Sequence, residues 1–217
     1  MHIYEGILTA TQHGREVLVA GALLAAAGTA IGLKKLEPQR LPQAAILSAA
    51  FFVISTIHVP LWPTSVHLLL TGLMGVILGW IAFPAVLVAL ILQAVFFSYG
   101  GLTALGVNTL VMASPAVACH YLFRRAVASE NAAIVFGGGF SAGAVATLLG
   151  ALVAIASLAL AGKEFQSFGL VFFAAQLPLA AVEGFVAASV AVMIRKVKPE
   201  LFDATLLAPV AVEYENG

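Results

Sequence analysis

Apolar residues in this chain fall in long unbroken runs, at residues 17–33, 44–57, 68–83, 85–99, 106–123, 140–161 and 168–194. A helix that is hydrophobic all round belongs in a membrane or in a deep core. Each run is read here as a transmembrane helix, although several fall short of the ~20 residues that cross a bilayer upright. Polar and turn-forming stretches divide them: Lys34-Lys35 to Arg40, His58 to Pro63, Gly100-Gly101, and Arg124-Arg125 onward. Pro84 alone separates the third run from the fourth. The pattern predicts an all-α integral membrane protein over residues 1–217. Its form is a compact bundle of about seven transmembrane helices, followed by a flexible tail at 199–217.

Composition agrees. Hydrophobic residues make up 62% of the 217 and charged residues 9%, with a mean hydropathy of +1.06; soluble domains carry about 25% charged residues. The solvent of such a surface is the lipid bilayer. A net charge of zero gives no footprint for nucleic acid. The lone Cys119 cannot form an internal disulfide and reads as core. There is no G-x-x-x-x-G-K-[ST] phosphate loop, so a transporter built on this chain draws its energy from elsewhere. If seven spans alternate, Lys34, Lys35, Arg40, Arg124, Arg125, Arg195, Lys196 and Lys198 share one side, and only Arg15 and Lys163 fall on the other. The positive-inside rule then places the N-terminus outside and the C-terminus in the cytoplasm of a prokaryotic cell. A cleaved signal peptide fits poorly, because the positive residues follow the first run instead of preceding it.

Small residues recur at helical spacing: Gly21, Ala25, Gly28 and Gly32 in the first run, Gly75 and Gly79 in the third. Such stripes allow close helix contact in lipid. Packing within the chain and docking of a partner membrane protein are both open readings of the first stripe.

The first dipeptide carries the most specific chemistry. The α-amine of Met1, the peptide nitrogen of His2 and the imidazole of His2 can close two chelate rings on one metal ion, leaving the fourth corner of a plane open. Planar nitrogen sites suit Ni(II) or Cu(II). His67 is the candidate for the fourth nitrogen, since Trp62-Pro63 cannot continue the preceding helix and an imidazole is therefore held at a defined helix start. His58 is the runner-up. The stretch 100–109 reads as a tight glycine turn, then a helix start with threonine and asparagine available as caps. The buried amides of Gln93 and Asn108 need partners, and either carbonyl could accept the N–H of a metal-bound imidazole. Glu183, deep in the last run, is either a structural anchor or a group that couples metal passage. Gly139-Phe140-Ser141-Ala142-Gly143 fits the G-x-S-x-G elbow, but Gly137 to Gly139 read as the opening of a membrane helix, not a strand-to-helix turn.

Together these motifs resemble a family. Met1-His2-Ile3 with Glu5-Gly6, the stretch from His58 through Pro60 to Ser65-Val66-His67, and Gln93 through Gly100-Gly101, Leu105-Gly106 and Asn108-Thr109 are similar to the substrate-binding component of nickel/cobalt energy-coupling-factor transporters. The nickel branch, NikM, is the nearer likeness, and CbiM is the cobalt counterpart. Arg195 through Lys198-Pro199-Glu200-Leu201 after Glu183-Gly184 resembles the family's last span and exit. The resemblance implies an N-terminus folded inward to bind metal through Met1, His2 and His67, with His58, Ser65, Gln93 and Asn108 as candidates to support the ligands. It also implies a transmembrane coupling (T) component and ATP-hydrolysing (A) components as partners. Gln176 stands where histidine is common and Val111 where asparagine is common. The function expected is capture of Ni(II), or Co(II), for ATP-driven import by a subunit that is not itself an enzyme. The alternatives are an ATP-independent metal channel or sensor and, more remotely, an intramembrane serine protease.

Overall fold

A computed structural model of the chain describes residues 2–56, 58–61, 64–165 and 168–203; at 58–61, 64–66, Glu164 and Asp203 it describes the main chain only. A short helix α1 (Glu5–Ala10) leads into α2 (Gly14–Lys34) and, after a 3-10 turn at Pro38–Arg40, α3 (Leu41–Thr56). Two strands follow, β1 (His58–Leu61) and β2 (Thr64–His67), paired antiparallel with His58 opposite His67. Then come α4 (Thr71–Leu78), α5 (Ala82–Phe97), α6 (Leu105–Val127), α7 (Ala132–Ala161), α8 (Phe168–Val197) and the short α9 (Glu200–Asp203).

Each of the seven apolar runs carries one helix, α2 to α8. Five helical stretches among the described residues are long and apolar enough to cross a membrane. The outward faces are apolar: Leu23, Ile46, Phe96 and Leu170 are all at least two-thirds exposed, as a lipid-solvated surface allows.

The third and fourth runs depart from the expected division. The chain breaks not at Pro84 but at Gly79, whose φ of +57° is open to glycine and strained for other residues. Pro84 lies in the first turn of α5, where an N–H would lack a helical partner anyway. Helix α4 has only eight residues, all buried. At 1.5 Å per residue it is about 12 Å long, less than half of a hydrocarbon core of ~30 Å. It faces the core of the bundle and not lipid.

The small-residue stripe of α2 is a further correction. Gly21, Ala25, Gly28 and Gly32 are all buried inside the chain. A Cβ at Gly28 would come within 2.5 Å of the Phe83 ring, one at Gly32 within 2.5 Å of the Trp80 carbonyl, and one at Gly21 would strike Val107. The stripe seats α2 on α5 and α6 and is not a partner-docking face. Glycine also sets the α7–α8 contact, where Gly143 meets the Glu183 carbonyl and Gly184 meets Phe140.

Helix α7 starts at Ala132, capped by Asn131, whose Oδ1 accepts from the Ala133 N–H at 2.9 Å. It runs straight through Gly137 to Gly143, so Ser141 lies mid-helix and the sequence motif forms no elbow. Within the stretch expected to be a flexible tail, Glu200–Asp203 forms helix α9. Phe202 of α9 is fully buried, and its N–H donates to the Pro199 carbonyl at 3.0 Å. Residues 204–217 lie outside the described residues.

Candidate metal centre

The N-terminal segment is held in the bundle by residues more than ninety positions away. Asn108, in the first turn of α6, binds the main chain of Ile3 on both sides. Its Oδ1 accepts from the Ile3 N–H at 2.8 Å, and its Nδ2 donates to the Ile3 carbonyl at 3.0 Å. The Glu5 N–H donates to the Gly100 carbonyl at 2.9 Å. The Glu5 carboxylate accepts from the Thr103 N–H at 3.1 Å and the Thr103 hydroxyl at 2.8 Å. Ile3 and Leu8 are fully buried and anchor the segment from its apolar side.

The glycine turn makes room for this docking. Gly100 and Gly101 have φ of +74° and +86°, a region that L-residues rarely occupy. A Cβ on Gly100 would lie 2.7 Å from Asn108 Nδ2, and one on Gly101 would collide with the Glu5 carboxylate. The turn was legible in the sequence, but its use was not. Helix α6 starts at Leu105 with Ala104 at its N-cap position and no side-chain cap; Asn108 lies inside the helix and serves Ile3.

The consequence is a meeting of two histidines. His2 and His67 are each 3% exposed, with ring centroids 4.9 Å apart and planes inclined by 24°. Tyr99 closes one side, its ring 6.1 Å from that of His2. In the chelate predicted from the sequence, the open corner adjoins the corner held by the His2 imidazole, which is where a neighbouring ring is needed. Both nitrogens of His67 are buried and make no hydrogen bond of normal geometry among the described residues. Burial pushes its pKa down to about 4, opposed only in part by the Leu68 main chain. The ring is therefore neutral at ordinary pH, the form in which imidazole binds a metal. Among the described residues no three His, Cys, Asp or Glu side chains form a cluster that could hold a metal, so the candidate depends on these two rings and on main-chain nitrogen.

The remaining residues fall as follows. Met1 lies outside the described residues, as do the side chains of His58 and Ser65, although the His58 main chain pairs with that of His67. Gln93 Nε2 donates to the Ser55 hydroxyl and, at 3.3 Å, to the Phe52 carbonyl, while its Oε1 has no partner among the described residues. Gln176 is fully buried with neither amide atom partnered there. His13 is exposed and bonded to Glu16 at 2.8 Å, and His120 packs beside Gly79. Glu183 accepts from the amides of Leu69 and Leu70. Sequence reasoning missed the Glu5–Thr103 contact; the pair Glu5-Gly6 was the only signal for it.

The fold and the buried imidazole pair place the chain among integral membrane proteins that can offer nitrogen ligands to a transition-metal ion. Residues 2–201 match the family model described as CbiM, cobalt uptake substrate-specific transmembrane region. The chain belongs to that family, and is thus a substrate-specific transmembrane component of metal uptake. It is 42% identical over 212 residues to a Haemophilus influenzae protein named for metal transport, covering 94% of this chain and 98% of that one. A segment of 82 residues is 44% identical to the fused nickel transport protein NikMN of Rhodobacter capsulatus, covering 37% of this chain and 24% of the relative. A crystal structure of a transition metal transporter superposes with a TM-score of 0.68 at 24% identity, covering 90% of this chain and 91% of the other; this likeness concerns the fold.

Asn108→Ala is expected to weaken binding of a transition-metal ion at this candidate centre about 10–100-fold, the usual cost of losing a group that orients a ligand. Equilibrium dialysis beside a thermal melt checks this. Unchanged affinity would show that Ile3 is held without Asn108.

Proposed function

We propose that this chain captures Ni(II) at the outer face of a prokaryotic cytoplasmic membrane. It acts as the substrate-binding subunit of an ATP-driven energy-coupling-factor importer. The observation that carries the reading is the stacking of His2 on His67 at 4.9 Å, at the foot of an N-terminus that Asn108 ties into the bundle. The α-amine of Met1, the peptide nitrogen and imidazole of His2, and the imidazole of His67 complete a four-nitrogen plane. Such a plane favours low-spin Ni(II), with Co(II) the second candidate. Eight of the ten Lys and Arg side chains fall on the side assigned to the cytoplasm, which supports an external N-terminus. Transport energy comes from T and A partner subunits; the fusion named for the Rhodobacter capsulatus relative is in keeping with a chain that works beside other transporter components.

Vesicles test the reading. The chain alone should bind Ni(II) but not accumulate it against a gradient. Accumulation should require coupling and ATPase subunits together with ATP. Ni(II) influx through the chain alone would favour a channel and overturn the proposal.

A further inference from the structure

Glu183 lies in the middle of α8 and is 1% exposed. An ionisable group so placed in a membrane span is costly and marks function by default. Its partners are two consecutive main-chain amides from 113 and 114 residues earlier in the chain. The Leu69 N–H donates to Oε1, and the Leu70 N–H donates to Oε2 at 2.9 Å and to Oε1 at 3.2 Å. These residues join His67, the last residue of β2, to α4.

Leu70 holds a left-handed conformation, φ 54° and ψ 24°, which a bulky L-residue keeps only when its surroundings fix it. The carboxylate supplies that fixing contact at the amide end of α4. At the carbonyl end, Arg40 Nη2 donates to the Ile77 carbonyl at 2.7 Å. An acid at the amide end and a base at the carbonyl end both complement the helix dipole. The buried α4 is thus clamped at its two ends by side chains from elsewhere in the chain.

We propose that Glu183 is the positioning residue for His67: by binding the Leu69 and Leu70 amides it sets where β2 ends, and so where the imidazole stands against His2. This rests on the functional reading above. Glutamine in its place leaves one oxygen to accept and turns the other position into an NH2 donor facing the Leu70 N–H, so that buried amide loses its 2.9 Å acceptor, Leu70 loses its restraint, and His67 loses its register against the N-terminus.

The test uses the full chain with a C-terminal tag, titrated with Ni(II) and followed by dialysis and by the visible absorption of the bound ion. Glu183→Gln should raise Kd about 10–100-fold and move the spectrum toward that of His67→Ala. In a His67→Ala background the same change should alter Kd by less than about twofold, because the two substitutions remove one contribution. Leu70→Gly added to Glu183→Gln should recover part of the affinity, since glycine takes positive φ without help. Wild-type affinity and spectrum in Glu183→Gln would overturn the inference, and so would an equal loss in the His67→Ala background. If Glu183→Gln gives no monodisperse protein, Glu183→Asp carries the same comparison. A wild-type chain that fails to bind Ni(II) defeats the functional reading itself, whereas wild-type binding with a silent Glu183→Gln defeats this inference alone.

Discussion

One residue added ahead of Met1 is expected to reduce Ni(II) affinity by more than about a hundredfold, beyond the cost of losing a supporting contact. In the proposed site the α-amine and the His2 amide would close a five-membered ring on the metal, and the imidazole a six-membered one. An extra residue moves the amine away and leaves His2 an internal histidine with no adjacent terminal nitrogen. The docking of Ile3 on Asn108 leaves the segment no freedom to slide forward and compensate. Two C-terminally tagged proteins that differ by a single N-terminal residue, compared by calorimetric titration, give the result. His2→Ala should be as severe, and His13→Ala nearly silent, because His13 is engaged with Glu16 at the surface. Binding should also release the amide proton, which an ordinary two-histidine site would not do. Undiminished binding by the extended protein would sink the scheme.

His67→Ala carries the second large effect, a loss of about a hundredfold that still leaves the three-nitrogen chelate measurable. Its pH signature is as informative as its size. With a folded-state pKa of about 4 against an ordinary 6.5, His67 surrenders no proton to the metal above about pH 5. Acid weakening of affinity in that range therefore belongs to the amine and amide, and its slope should survive the substitution. Metal-free stability should behave oppositely. The unfolded state takes up the His67 proton first, so the fold loses stability as pH falls from 6.5 toward 4, by roughly 3 kcal/mol at most. His67→Ala should flatten that dependence in thermal melts. A melt whose pH dependence is unchanged by the substitution would show that His67 is not buried neutral.

The runs of apolar residues made the bundle legible, because a bilayer demands uninterrupted hydrophobic length. What they hid was local. Hydropathy cannot register a positive φ, so the break at Gly79 passed as continuous helix and Pro84 drew the division instead. The β1–β2 hairpin was hidden among prolines and short apolar residues that read simply as a helix stop. The stripe from Gly21 to Gly32 was ambiguous for a physical reason: close packing needs small residues whether the neighbouring helix belongs to the same chain or to another. At the site, His2 and His67 stood out because imidazoles near helix ends are few here, and the structure brings them together. Asn108 and Glu183 stood out as polar groups that needed partners. Their actual partners, the main chains of Ile3 and of Leu69-Leu70, lie 105 and 113–114 residues away, a separation no local pattern encodes.

The bond between Ile3 and Asn108 also imposes an order on biosynthesis. The ribosome adds about 5–20 residues per second, so the 105 residues separating these partners take roughly 5–20 s to emerge. Throughout that interval the N-terminus has nothing to dock on. Until it is translocated its amine is open to deformylation and its first peptide bond to aminopeptidase. Translocation and then docking on helix α6 end that exposure, so the enzymes that process a new N-terminus must act before them.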